Sequence, residues 1–414
     1  MRDRAGPLPG SCGVKFLVIH NDYGVRSGEE VTVDIHCKLL ADRGHSVVPF
    51  RRSSAELEGL RLGRMRAFAS GVYNPIARRR IRELVRHERP DVAFVQNLYP
   101  LISPSILPVL RQEGVPVVMR VANFRLVCPN GLLLSRGEIC SRCVGGREYW
   151  CILRNCEESL PKSIGYALRN AVARRRRWYL DNVSIYISAT RFVRGQLISG
   201  GGLEAARIYI VSNPVPMPVD ATVKYGGGKY VGYFGRISRE KGIPQLLDAA
   251  RKCPDIPFRL VGGVHPGYRV PDEIPPNVQL GGPLYGDALA DFIQGSRVVV
   301  SPSTCYETFG MSVAEAMLRA RPVVVPNHGV FPELIQDGAS GLLHAPADAD
   351  SLARAIRRVW DDPVFAAGLG KAARERAVND YDPEAYYARF MAACDAAMAS
   401  QALATVRRCG VPSS

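Results

Sequence analysis

KYVGYFGRISREKGIPQLLDAARKC, residues 229–253, decides the reading of this chain. Residues 229–235 run apolar and stop at Gly235, which predicts a buried strand followed by a turn. Residues 243–253 read as a helix. The loop between them carries Arg236 and Lys241. The same strand–loop–helix rhythm recurs on both sides. Downstream come a strand ending in glycines (257–263), a helix near 286–294, a strand (297–303), a helix (311–320), a strand (322–326) and two or three closing helices between 349 and 399. Upstream come strands at 14–20, 45–50, 91–95, 115–121, 183–188 and 207–212. They alternate with helices at 29–44, 76–90, 103–114, 162–180 and near 190–199. Fully buried strands separated by helices imply parallel sheets with right-handed crossovers. The chain has 414 residues, too many for one core. Residues 213–230 are rich in Pro and Gly and lack periodicity, as a linker does. The expected organisation is α/β, with two doubly wound domains facing across a cleft. The first spans 1–218 with a Cys-rich insert at 128–156, and the second 219–385. A helix in 386–414 packs back toward the first domain and ends in a frayed tail of fifteen or so residues.

Open parallel sheets bind ligands beyond the carboxyl ends of their strands, in strand-to-helix loops. In YFGRISREKGI (233–243), Arg236 and Lys241 flank such a loop, and two cations beside a helix N-terminus suit a diphosphate. In SPSTCYETFGMSVAEAM (301–317), Glu307 lies in a loop and Glu315 eight residues on, inside a helix. Residues 311 and 315 share a helix face, so Glu315 leans toward the helix start. A carboxylate accepts from two hydroxyls at once, as a ribose or sugar diol requires. Phe309, Gly310 and Met311 open the helix, where backbone N–H groups lack intrahelical partners.

The Glu307-x7-Glu315 pair, the strand–Gly–Arg–x4–Lys–Gly loop and PVVVPNHGVFPELIQDGASGLLHAPADADSLARAI (322–356) resemble the retaining glycosyltransferases of family 4, which have the GT-B fold of two Rossmann-like domains. The likeness runs from about 229 to 381 and is looser over the first half. It implies transfer of a sugar from a nucleotide-diphosphate-sugar donor to a glycan or lipid-linked acceptor, with retention, by a hexosyltransferase of cell-surface polysaccharide synthesis. It implies that Arg236 and Lys241 neutralise the donor diphosphate, that Glu307 contacts the transferred sugar and that Glu315 holds the ribose. Phe309, Gly310 and Met311 would offer backbone N–H groups. No metal cofactor is implied at the diphosphate, since two fixed cations can stand in for one. In NDYGVRSGEEV (21–31) the acceptor-side candidates are Tyr23, Gly24, Ser27 and Gly28, with Glu29 at the helix start. Many relatives carry a histidine after the fourth strand. Here VANFR (121–125) has Ala122 in that place, so no imidazole base comes from this loop, and Asn123 and Arg125 are the remaining polar candidates. His20 and His328, the histidines nearest to cleft loops, read as structural.

Five of the eleven cysteines fall in the insert: Cys128, Cys140, Cys143, Cys151 and Cys156. Cys140-Ser-Arg-Cys143 has the spacing of a zinc-chelating pair, and two more thiolates would complete a tetrahedral structural site. An iron–sulfur cluster and unrelated reduced thiols are the alternatives. Likeness to inserts in related bacterial enzymes points to Cys128, Cys140, Cys143 and Cys156, leaving Cys151 spare. A loop this long needs a staple to be ordered.

Residues 1–218 hold 33 Lys and Arg against 18 Asp and Glu, whereas 219–414 hold 21 of each, so the net charge of +15 sits in the first half. Such a surface attracts phosphates. Arg78-Arg79-Arg80 and Arg174-Arg175-Arg176-Arg177, the latter beside Trp178 and Tyr179, suggest contact with anionic membrane. The start MRDRAGPLPGSCG lacks the apolar segment of a secretory signal, and no run approaches the ~18–20 apolar residues of a membrane span. A cytoplasmic protein, peripheral on the inner face of the membrane, is expected. Two rival readings are weaker. An epimerase or hydrolase on the same fold needs a proton-shuttling pair that the cleft loops do not supply. A nucleic-acid binder leaves the acidic and cationic motifs of the second half without a role, so no nucleic-acid partner is expected.

Overall fold

The structure is a computed structural model, and it describes residues 13–23, 28–57, 63–219 and 223–408. Its strands are β1 (Lys15–Asp22), β2 (Ser46–Ser53), β3 (Val92–Val95), β4 (Val117–Arg120), β5 (Leu134–Ser135), β6 (Glu138–Ile139), β7 (Ile185–Ser188), β8 (Ile208–Ile210), β9 (Tyr230–Phe234), β10 (Phe258–Val261), β11 (Val278–Gly281), β12 (Ser296–Val300), β13 (Val323–Pro326) and β14 (Leu342–His344). Two six-stranded parallel sheets result, ordered β2-β1-β3-β4-β7-β8 and β11-β10-β9-β12-β13-β14, with β5 and β6 forming a small antiparallel hairpin. The two-domain α/β fold expected from the sequence is the fold observed.

Alternation explains why the strands read as unbroken apolar runs. On β1, Phe16 and Val18 join one buried cluster and Leu17 and Ile19 another. On β9, Val231 and Tyr233 face one layer, Tyr230 and Phe234 the opposite one. Successive side chains of a strand point to opposite faces, so a sheet covered on both sides needs apolar residues at every position.

The elements the sequence reading missed are short or lie at edges. β11 is an edge strand of four residues whose exposure alternates, and β14 has three residues. The helix Gly63–Val72 was also passed over. The helix expected at 162–180 is two helices, Leu160–Arg175 and Trp178–Asn182. They part at Arg177, whose φ of 50° is left-handed and which precedes the buried Trp178. Instead of fraying near residue 400, the last helix runs Pro383–Arg408, and residues 409–414 lie outside the described part. Its Tyr386, Phe390, Ala393, Cys394 and Ala397 pack with Phe16, Val18, Val92 and Phe94 of the first sheet.

Residues 211–219 and 223–229 join the sheets without regular structure. The segment is nonetheless held. Fully buried Arg321 donates to the carbonyl of Gly226 (3.0 Å), to that of Ser296 (3.2 Å) and to that of Lys224.

Candidate active site

In the second sheet, strand order reverses between β9 and β12, and in the first beside β1. The loops leaving neighbouring strands diverge there and open a crevice. The loops after β9 and β12 carry the cationic and acidic motifs.

Gly242 lets these two loops touch. It adopts φ 75°, and a Cβ there would lie 1.9 Å from the carbonyl oxygen of Pro302. Around it, the amide of Thr304 donates to the Glu240 carbonyl at 3.0 Å and the Thr304 hydroxyl to the same oxygen at 3.2 Å. The contact brings Lys241 Nζ within 2.5 Å of Glu307 Oε1, which also accepts from the Ser303 hydroxyl at 2.5 Å. The pair is largely buried, with 25% and 18% of the side chains exposed. Desolvation opposes charge on both groups, yet each holds the other ionised. Lys241 is raised above its ordinary value because Glu307 outweighs burial, and Glu307 is lowered because Lys241 does the same. Arg236 adds to the field at both groups and donates from Nη2 to Glu240 at 2.8 Å. Arg236, Lys241 and Glu307 therefore form one cluster.

Glu315 stands apart from it, one turn into the helix Met311–Leu318. It is half-buried, and desolvation, opposed by Arg319, raises its carboxyl to about 7. The helix starts at Gly310, φ 90°, which brings no side-chain cap to the first amides. Phe309 is buried with its ring on Tyr381, so its backbone rather than its ring is available at the loop; Met311 is half-buried.

Across the crevice, the acceptor-side candidates Tyr23, Asn123 and Arg125 meet. The Tyr23 hydroxyl donates to Glu29 Oε2 at 3.2 Å, and Asn123 Nδ2 lies 3.5 Å from Glu29 Oε1. Arg125 Nη1 donates to the Tyr23 oxygen (3.2 Å) and to Asn97 Oδ1 (3.1 Å). Arg125 stays charged because Tyr23 and Glu29 outweigh its desolvation. Gly28, exposed, opens the helix Gly28–Asp42, and its carbonyl accepts from Thr32 at 2.7 Å. Gly24 and Ser27 lie outside the described residues. His20 has neither ring nitrogen hydrogen-bonded, and burial lowers its pKa; with Asp22 and Glu30 it places three metal-type ligand atoms within 4.8 Å. Asp22, however, is paired with Arg51 at 2.6 Å, and Glu30 accepts from the Tyr23 amide at 2.6 Å. His328 Nε2 sits 2.9 Å from the Ser303 carbonyl.

The sheets are bridged where the motifs lie. Thr308 donates to the carbonyl of Ala122 at 3.1 Å, so the position lacking an imidazole presents backbone to the Glu307 loop. Phe124, Phe192 and Tyr306 stack edge-to-face, and Tyr306 lies 5.5 Å from the His328 ring. Glu333 accepts from the amides of Arg191 (2.9 Å) and Phe192 (2.5 Å), capping the helix Arg191–Gly201 of the opposite sheet. The sequence reading passed over Glu333, Ser303 and Asn97. Each acts through a partner distant in the chain, and PEL after a glycine was the single local hint.

Comparison with known proteins agrees with the two-domain fold. Residues 219–376 match the family "Glycosyl transferases group 1", and residues 25–214 match "Glycosyl transferase 4-like domain". The chain is similar to a sucrose-phosphate synthase from Thermosynechococcus elongatus (TM-score 0.66, 19% identity, covering 92% of this chain and 100% of the other). It is also similar to Anabaena HepE, solved with UDP and glucose (TM-score 0.62, 17% identity, covering 91% and 98%). Together, the strand order, the crevice and these likenesses define a GT-B fold. Along the chain, a match to a glycosyl transferase 4-like domain is thus followed by a match to a glycosyl transferases group 1 domain, one on each sheet. Among curated sequences it is 31% identical to alpha-maltose-1-phosphate synthase of Mycolicibacterium smegmatis over 169 residues, 36% of this chain and 43% of the relative. The chain spans about half the length of such curated relatives.

Proposed function

We propose that this chain transfers a hexose from a nucleotide-diphosphate sugar to a glycan or lipid-linked acceptor with retention of configuration, in the building of a cell-surface polysaccharide. The observation that carries the reading is the cluster of Arg236, Lys241 and Glu307 on two loops locked together at the strand-order reversal. In this reading Arg236 and Lys241 receive the diphosphate. Negative charge grows on that leaving group as the glycosidic bond breaks, so fixed cations favour the transition state over the ground state. Glu307 turns its second oxygen to a sugar hydroxyl, held in place by Ser303 and Lys241. Glu315 accepts from the ribose, and the amides of Phe309, Gly310 and Met311 face phosphate or sugar. Tyr23, Asn123 and Arg125 line the acceptor side, beside the contact between Thr308 and Ala122. Solved relatives with UDP and UDP-glucose bound support a nucleotide-sugar donor. A thermal-shift screen of UDP-, GDP- and ADP-sugars tests the reading. One nucleotide is expected to stabilise the protein, and the shift disappears in Arg236→Ala and Glu315→Ala. NMR of the product gives the anomeric outcome. Rapid donor consumption without acceptor, or inversion, would refute it.

A peripheral membrane position for the same enzyme draws support from the surface. No helix among the described residues is long and apolar enough to cross a membrane. Trp178 is buried and the Tyr179 hydroxyl meets that of Tyr99, so these aromatics do not form an anchor. The helix Leu160–Arg175 instead exposes Leu160, Ile164 and Leu168 at four-residue spacing, with Lys162, Arg175 and Arg176 also exposed. The adjoining helix Tyr149–Leu153 exposes Tyr149 and Leu153. An apolar stripe with basic neighbours suits an anionic bilayer surface, which also presents lipid-linked acceptors. Flotation with anionic vesicles, lost in the double variant Ile164→Glu/Leu168→Glu, is the expected result. Equal flotation of that variant would refute the assignment.

A further inference from the structure

Positive charge without a counter-ion collects at the carboxyl ends of β3 and β4. β4 is apolar until its last residue, Arg120, and the apolar run of β3 gives way to Gln96 and Asn97. A guanidinium taken into a sheet loses its water, and a carboxylate is the usual compensation. Arg120 is 7% exposed, yet its partners are amides: Nη1 donates to Gln96 Oε1 at 2.9 Å and Nη2 to Asn213 Oδ1 at 2.7 Å. Arg125 repeats the arrangement, donating from Nη1 to Asn97 Oδ1 at 3.1 Å and to the Tyr23 oxygen at 3.2 Å. Amide oxygens orient a guanidinium and leave its charge in place.

Arg120, Arg125, Gln96, Asn97 and Asn123 line one narrow recess. Donors are left over inside it. Gln96 is 5% exposed and its Nε2 has no partner, and the buried Nε of Arg125 has none either. A third guanidinium, that of Arg169, lies 4.1 Å from the centre of the Tyr99 ring, on which Arg125 also packs at 5.9 Å. Arg169 belongs to the helix Leu160–Arg175, whose Asn170 holds the Arg125 carbonyl at 2.6 Å. Among the described residues, none of the three arginines forms an ion pair. Glu29 reaches Arg125 through the Tyr23 hydroxyl, and burial raises the Glu157 carboxyl to about 7. Buried donors without partners, beside guanidinium charge, are unfavourable in a part that serves packing alone. An oxyanion supplies what they lack.

We propose that this recess holds an oxyanion of the acceptor, a carboxylate or phosphate group on the unit that receives the sugar, an inference that rests on the sugar-transfer reading above and narrows it to anionic acceptors. Arg120 and Arg125 meet its charge, and the Gln96 amide donates to one of its oxygens. The recess is narrow enough to take the charged end of a molecule and not a sugar ring, which stays in the crevice. Ala122 forms part of the wall, and its carbonyl accepts from Thr308 at 3.1 Å. A ring anchored in the recess therefore stands beside the loop of Glu307. A neutral glycan has no group to fill the anchor.

The test is NMR titration of the full chain, at fixed ionic strength, with D-glucuronate, glucose 6-phosphate and D-glucose. At least one of the two anionic sugars is expected to bind roughly 10-fold or more tightly than glucose, and which of them does so separates carboxylate from phosphate. Gln96→Glu keeps the shape of the side chain, replaces the unpartnered Nε2 with oxygen and gives Arg120 an internal carboxylate. That variant is expected to melt at or above the wild-type temperature and to lose affinity for the anionic sugar by roughly 10-fold or more. Arg125→Gln should lose it to a similar extent. Glucose binding as tightly as both anions in the wild-type protein, a comparison that needs no variant, overturns the proposal. So does a folded Gln96→Glu that keeps wild-type affinity for the anion. Thermal shifts with nucleotide sugars on the same wild-type sample separate the two readings. A donor shift without anion preference sinks this inference alone, whereas no shift with any nucleotide sugar sinks the sugar-transfer reading and this inference with it.

Discussion

Replacing Lys241 with methionine keeps the length of the side chain and removes its charge, leaving Glu307 with the Ser303 hydroxyl. The wild-type carboxylate is lowered from 4.5 because Lys241 outweighs its desolvation; without Lys241 the desolvation dominates and the pKa moves above 4.5. Breaking a buried pair by removing one partner costs roughly 3–5 kcal/mol. Here about a fifth of each side chain meets solvent, and water and Ser303 reduce the loss to roughly 2 kcal/mol. That corresponds to a fall in Tm of roughly 4–8 °C at pH 7.5. The sign of the pH dependence follows. In wild type, a carboxyl lowered on folding adds stability above its unfolded pKa, and this is lost as pH falls through the folded value. In Lys241→Met the carboxyl is raised on folding, so the variant gains stability relative to wild type as pH falls, and the Tm gap narrows between pH 7.5 and pH 5. Scanning calorimetry at four pH values reads this directly. In parallel, kcat/KM should fall by roughly 10²–10³, the usual cost of removing one preplaced charge at a developing anion. A Tm gap that stays constant from pH 7.5 to 5, or a kcat/KM within a factor of three of wild type, would refute the reasoning.

The raised Glu315 carboxyl, about 7, predicts that nucleotide affinity weakens severalfold from pH 8 to pH 6 as the acceptor carboxylate is protonated. Titration calorimetry checks this, and Glu315→Gln should bind weakly with a flat profile. Gly242→Ala forces a Cβ into the Pro302 carbonyl at φ 75°, and is expected to destabilise by more than ~1 kcal/mol and to part the two motif loops. Wild-type-like Tm and activity in that variant would contradict the described contact. Glu333→Ala removes the carboxylate cap from the helix Arg191–Gly201, a loss of roughly 1–2 kcal/mol in the coupling of the two sheets. Small-angle scattering should show a more open particle, and an unchanged radius of gyration would count against it.

The sequence by itself determined the strands that are covered on both faces, because continuous apolar runs such as Phe16–Ile19 and Val323–Val325 have no other stable use in a chain of this size. It also pointed to the loops that carry Arg236, Lys241, Glu307 and Glu315, which sit at fixed distances from those runs, and the fold brings Lys241 and Glu307 together. It did not determine β11 or β14, whose short segments owe their place to the neighbouring strand. Nor did it give the break at Arg177, where burial of Trp178 overrides helix propensity. Only the tertiary structure decided that Lys241 answers Glu307, that Thr308 meets Ala122, and that Glu333 caps a helix of the other sheet. Each is a contact between residues more than 60 positions apart. Local periodicity reports what is buried, but not which loop end a crossover delivers beside which, and that pairing is set when strand order reverses and two packed sheets close on one another.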